Sequence, residues 1–193
     1  MKYTKNMKKI TMQEVVLNEL NKQNNWTDLC INYELSEEII EEFQDKISWH
    51  LVSTYQKLSE NFIEKYQNSV NWSNICSNQK LSESFMEKFL DKIDWNAIVV
   101  YQELSEEFID KYFDKLDWVY ISIKQKLSEP FIEKYADKVN WWGIAFNQKL
   151  SKEFIEKHKD AVNWEYLFSY SNLPNIFKEN YSKYLMGREN ECH

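Results

Sequence analysis

The sequence predicts an all-α protein, an α-solenoid of seven 23-residue two-helix repeats with terminal capping helices. Three observations carry that expectation. Tryptophan recurs at 26, 49, 72, 95, 118, 141 and 164, always 23 residues apart and without an indel. Leucine keeps the same step nine residues after each Trp, from Leu35 to Leu173. The 193 residues hold Gly 2 and Pro 2 beside Trp 8, Tyr 12 and Phe 11, too little glycine for phosphate loops or turn-rich β-sandwiches. A fixed step of a few tens of residues is the signature of stacked supersecondary units.

The elements follow in order. Residues 1–11 form a basic N-terminal arm with Lys2, Lys5, Lys8 and Lys9. Residues 12–25 form an N-terminal capping helix, because Val16, Leu17 and Leu20 keep the phase of a repeat's second helix. Residues 26–186 hold the seven repeats. In the fourth copy Trp95, Ile98, Val99 and Gln102 fall at i, i+3, i+4 and i+7, one face of a short helix. Phe108, Ile109 and Tyr112 mark a second helix, and Leu116 closes the copy. Asn71, Asp94, Asp117, Asn140 and Asn163 each precede a Trp and can cap the first helix. Ser105 and its equivalents cap the second, with Glu106 and Glu107 well placed in its first turn. Pro130 sits inside a first turn, where a missing N–H costs little. Pro174 to Met186 supplies the last helix, Gly187 its stop, and residues 187–193 a flexible tail. One such hairpin cannot bury its apolar face alone; stacking buries it in a continuous layer of Trp, Ile/Leu, Phe and Tyr.

Net charge is −7, with residues 1–25 at +3 and the rest at −10. An acidic body disfavours direct nucleic-acid binding, which needs several Lys or Arg on one face. The basic start is followed by no apolar run suited to a signal peptide, and nothing approaches the ~20 apolar residues of a membrane span. The expectation is a cytoplasmic protein, of a bacterial cell or an infected host, with no membrane partner.

Catalytic, metal and cofactor chemistry finds no footing, and the expectation is a protein that is not an enzyme. His158 occupies the column of Tyr66, Tyr112 and Tyr135, which marks it as packed; His50 and His193 have no ligand partner at metal spacing. Cys30 and Cys76 share the small-residue column of Ser53, Ser122 and Ala145, two copies and roughly 20 Å apart, too far for a disulfide. Cys192 lies in the tail. The Glu-Lys runs of the second helices read as a solvated outer face, with Glu107–Lys111 and Glu153–Lys157 as i,i+4 pairs.

Two columns say more. Gln56, Gln79, Gln102, Gln125 and Gln148 end the first helices and predict a structural ladder, each amide bonding turn backbone of its own or the neighbouring copy. The alternative is a one-residue-per-repeat base code, disfavoured by the acidity and by Arg188 being the lone arginine. The second signal is where copies differ. Positions facing away from the first-helix stripe are polar early on, as in Thr27, Asp28, Asn32, Ser73, Asn74, Ser77 and Asn78. Later they become Val100, Tyr101, Val119, Tyr120, Ile123, Trp142, Phe146, Tyr166 and Tyr170, the predicted partner-binding residues. Val119/Ile123 and Trp142/Phe146 are i,i+4 pairs that would make an apolar ridge. Burial of that ridge by superhelical curvature, or in a homodimer seam, are the competing readings.

The pattern Trp-x2-Ile-x3-Gln-x-Leu-Ser-Glu-x-Phe-Ile-Glu-Lys-Tyr-x-Asp-Lys-(Val/Leu)-(Asp/Asn), over residues 26–186, resembles a tandem helical repeat of proteins from large DNA viruses, low-GC bacteria and their phages. Ser69, His158, Ala161 and Pro174 depart from it. The resemblance implies a scaffold or binding protein and brings no catalytic residues. The expected function is non-catalytic binding of a protein or ribonucleoprotein partner, as a viral or phage factor that blocks a host defence complex. The alternatives are an acidic nucleic-acid mimic and a homo-oligomeric structural protein.

Overall fold

The computed structural model describes residues 8–9 and 26–162. The predicted capping helix, the seventh copy with Tyr166 and Tyr170, and the tail with Cys192 and His193 lie outside the described residues. Among those described, first helices of seven residues alternate with second helices of six. The first helices are α1 (Trp26–Asn32), α3 (Trp49–Tyr55), α5 (Trp72–Asn78), α7 (Trp95–Tyr101), α9 (Trp118–Lys124) and α11 (Trp141–Asn147). The second helices are α2 (Glu37–Glu42), α4 (Glu60–Lys65), α6 (Glu83–Lys88), α8 (Glu106–Lys111), α10 (Glu129–Lys134) and α12 (Lys152–Lys157). The chain divides into two compact units, Met1–Gln102 and Glu103–His193. In the first, α1 packs on α3, α3 on α5 and α5 on α7; in the second, α9 packs on α11. This is an all-α repeat protein, its copies stacked in chain order within each unit as in an α-solenoid.

Helices this short hold because both ends are tied. Asn71 Oδ1 accepts the Asn74 N–H at 3.0 Å, Asp94 Oδ1 that of Ala97 at 3.1 Å, and Asn140 Oδ1 that of Gly143 at 2.8 Å. Ser59 and Ser82 cap the second helices likewise, accepting from Phe62 and Phe85 at 3.2 Å. One more tie spans the copies. Ser53 Oγ accepts the Asn71 N–H at 3.0 Å, and Ser122 Oγ that of Asn140 at 2.9 Å. The small-residue column thus anchors the next copy's capping residue.

The core differs from the expected layer in one respect. Its fully buried columns are aliphatic: Leu29, Val52, Ile75 and Ile98 from first helices of the first unit, with Ile40, Ile63 and Met86 from the second helices. Ile121 and Ile144, with Ile109, Ile132 and Ile155, do the same in the second unit. The repeat tryptophans from Trp26 to Trp141 are only half-buried. They lie as covers on the ends of the following second helices: Trp49 and Tyr66 centroids are 4.9 Å apart, Trp72 and Phe89 5.0 Å, Trp118 and Tyr135 4.5 Å. In Trp72, Trp118 and Trp141 the indole N–H donates back to a carbonyl five residues earlier, to Gln67 O at 2.9 Å, Phe113 O at 3.0 Å and Ala136 O at 3.2 Å. An amphipathic ring suits a site with one wet edge.

A two-residue parallel ladder joins β1 (Lys8–Lys9) to β2 (Tyr33–Glu34), in the register Lys8↔Tyr33 and Lys9↔Glu34. It was not expected from the sequence. Tyr33 stands where later copies carry the bridging Gln, and here the turn backbone pairs with the arm.

Asp94 carries a pH dependence. The Ser73 hydroxyl, at 2.7 Å, and then the Ala97 N–H hold its carboxyl below the usual carboxylate range. A depressed folded value contributes stability above the unfolded pKa of about 3.9, lost as pH falls through the folded value. Asp94→Asn keeps a competent cap and removes that titration. Urea midpoints of the variant should fall less steeply below about pH 4 than those of the parent; parallel acid limbs would contradict this.

Candidate functional site

The glutamine column is wholly engaged in structure. Gln56 Oε1 accepts the Leu35 N–H at 2.7 Å, and its Nε2 donates to Cys30 O at 2.7 Å and Tyr33 O at 2.8 Å. Gln79 repeats this on Leu58, Gln56 and Ser53, and Gln102 on Leu81, Gln79 and Cys76. In the second unit Gln125 Oε1 accepts from Leu104 at 2.9 Å, and Gln148 bridges Leu127 N–H and Gln125 O. Each amide staples its copy to the turn before it. With oxygen and nitrogen so committed, in Gln56, Gln79, Gln102 and Gln148, no edge remains to read a base.

The acidic rows are likewise engaged. Glu37 accepts the N–H and hydroxyl of Ser59, one copy on, and Glu106 and Glu129 do so for Ser128 and Ser151. Lysines pair with acids of the preceding copy: Lys65 with Glu41, Lys88 with Glu64, Lys134 with Asp110, Lys157 with Glu133. The expected i,i+4 pairing of Glu153 with Lys157 is therefore corrected, since Lys157 meets Glu133 at 2.8 Å. These side chains are about half exposed, so solvent screening leaves each pair little weight in stability. Hydrogen bonds from Lys134 and Tyr135 hold the Asp110 carboxyl below its ordinary range, and Lys157 with His158 does so for Glu133.

His158 is packed between rings, 4.8 Å from Trp141 and 4.6 Å from Phe154, with Nε2 2.7 Å from Glu133 Oε2. The His50 ring faces Asn74 Nδ2 at 3.1 Å. Cys30 and Cys76 are buried free thiols. Burial pushes both up, Cys76 to about 11, so neither is a thiolate at neutral pH. Among the described residues no group of three or more His, Cys, Asp or Glu is arranged to hold a metal ion. No helix of those residues is long and apolar enough to cross a membrane.

The first-helix face separates the copies. In the first unit it is mostly polar, with Tyr55 and Tyr101 as exposed exceptions, and partly bonded to itself: Asn74 Nδ2 donates to Thr54 Oγ1 at 2.8 Å, and Asn78 Nδ2 to Asn74 O at 2.9 Å. In the second unit it is apolar and open to water. Val119 is 46% exposed, Tyr120 41%, Trp142 45% and Phe146 50%. The Trp142 and Phe146 rings stack at 5.5 Å and 17°. Gly143 brings the two helices close: a Cβ there would lie 2.8 Å from Ile123 Cγ1 and 2.9 Å from Ser122 Cβ. The outer faces of α9 and α11 are therefore continuous. Ile123 is half-buried in that approach, and in the first unit Val100 is half-buried while Tyr101 is 62% exposed.

Two exposed aromatics were not singled out from the sequence, Tyr55 and Phe113. Phe113 stacks on Tyr135 at 6.3 Å under the Lys138 ammonium. It stands where other copies have Gln44, Gln67, Leu90, Ala136 and Lys159, and its being the one aromatic among them was its signal. No family model, curated protein or solved structure matches the chain.

Proposed function

We propose that this is a non-catalytic binding protein that holds a protein or ribonucleoprotein partner on the first-helix face of its later copies. One observation carries the reading. The helix face that is mostly polar in α1 to α5, with Tyr55 the exposed aromatic exception, becomes in α9 and α11 an exposed surface of Val119, Tyr120, Trp142 and Phe146. Solvated aromatics packed side by side on rigid helices are the usual material of an interface. In keeping with the repeat's resemblance, the partner is a host defence complex and the protein a viral or phage factor acting in the cytoplasm of a bacterial cell or infected host. The nucleic-acid mimic is less well supported, because the acidic rows are already engaged by lysines and serine N–H groups of adjoining copies.

The test is partner capture with purified protein. Trp142→Ala with Phe146→Ala should weaken binding by about 2 kcal/mol or more, a factor of about 30, while helicity and melting temperature stay near the parent's. Charge reversal at Glu64, Glu87 and Asp110 should leave binding within a few-fold. Loss of binding on charge reversal alone would favour the mimic. Loss of a homodimer in the aromatic variant, seen by sedimentation without any other partner, would favour the structural protein.

A further inference from the structure

Three exposed lysines sit at the C-terminal ends of the two helices that carry this apolar face. Lys124 ends α9, Lys126 follows the Gln125 cap, and Lys149 follows the Gln148 cap of α11. All three are exposed. The second-helix lysines Lys134 and Lys157 each hold a carboxylate of the preceding copy. Among the described residues none of these three lysines forms an ion pair, not even Lys126 with Glu103 of the equivalent turn. Lys126 and Lys149 occupy the same position in successive copies, where like charges repel. In a chain of net charge −7, three exposed lysines without an ion pair among the described residues are thus gathered at one end of the two helices that carry the aromatic surface. Long-range repulsion from the remaining acids is screened beyond about 8 Å at physiological salt, so contacts at that end decide which side chains are accepted there.

From this we infer that the face recognises an acidic amphipathic protein segment. Its apolar side chains seat on Val119, Tyr120, Trp142 and Phe146, and its carboxylates reach Lys124, Lys126 and Lys149. This rests on the proposed partner face and adds the chemistry of the occupant. A single-stranded nucleic acid fits less well. The Trp142 and Phe146 rings already stack on each other, leaving no slot for a base between them. Three lysines beside acidic second helices also fall short of a backbone-tracking groove.

A random-peptide display library, selected against the intact protein, reads the preference directly, with a labelled uridine oligonucleotide as the competing probe. Selected peptides should be rich in Asp and Glu interleaved with Leu, Phe or Trp. Lys124→Glu with Lys126→Glu and Lys149→Glu should weaken them roughly tenfold at low salt and less at high salt. The same variant, used as bait, should select basic peptides instead. Peptides that need Trp142 and Phe146 but are neutral or basic would overturn this inference and leave the face standing. Peptides indifferent to the aromatic double variant would overturn the face itself. An empty selection, or tighter binding of the oligonucleotide, would reject the acidic segment as the occupant.

Discussion

Replacing Gln79 by Leu is expected to destabilise the protein by on the order of 3–5 kcal/mol, although the change adds no charge and keeps the volume. Gln79 Oε1 accepts the Leu58 N–H at 3.0 Å, and Nε2 donates to Gln56 O at 2.7 Å and Ser53 O at 3.3 Å. The side chain is buried. Leucine leaves one donor and two acceptors of the adjoining turn without partners, each costing about 1–3 kcal/mol less what relaxation recovers. Gln79→Glu isolates the donor half. Its first oxygen can still accept from Leu58, but the second faces two carbonyl oxygens where an N–H stood. The carboxyl is therefore held protonated, its folded pKa raised above the unfolded value of about 4.3. A raised folded value means stability near the parent's below about pH 4, lost as pH rises through the folded pKa. Urea midpoints across pH should show a steep decline for Gln79→Glu and a constant deficit for Gln79→Leu. A Leu variant as stable as the parent would mean the amide staples do not hold the copies together.

Much of this arrangement was legible because the repeat aligns residues into columns. The glutamines could be read as a ladder since five amides at one step, at helix ends lacking glycine, leave turn backbone as their natural partner. The same step also contained the inter-copy ion pairs. Glu64 and Lys88 are 24 apart, one step plus one, and so meet across adjoining second helices. Local spacing pointed instead to i,i+4 pairs, because two helices of a hairpin offer both geometries and only packing selects one. The tryptophans mislead through their size. Their regularity marks them as structural, but the closed interior lies three residues later, at Ile75 and its equivalents, where a side chain is enclosed on every side. The candidate face was legible as a departure from the column pattern. Its half-buried members were not, because Ile123 is covered by a helix approach that depends on Gly143 lacking a Cβ. The boundary between the compact units at Gln102 falls inside a repeat with no break in pattern, so no residue announced it.

That division of roles between the Trp and Ile columns gives the other large effect. Ile75→Ala in α5 should cost about 3–4 kcal/mol, and Trp72→Ala no more than that, although it removes over twice as many atoms. Ile75 is 0% exposed, so its truncation leaves a closed void and adds a cavity term to the lost transfer energy. Trp72 is partly buried, covering Phe89 at 5.0 Å and Phe85 at 6.3 Å. Removing it opens a groove that water fills, so the cavity term largely vanishes. What is lost is roughly two thirds or more of a Trp surface of burial, less what alanine still buries, and one hydrogen bond to Gln67, together about 3–4 kcal/mol. Trp72→Phe, which keeps the ring stacking, should recover all but about 1 kcal/mol of that loss. Ile75→Val should cost about 0.5–1.5 kcal/mol. Equilibrium urea unfolding of the four variants ranks the columns. Should Trp72→Ala exceed Ile75→Ala by several kcal/mol, the tryptophans would be the core and the wet edge of each indole of no energetic consequence.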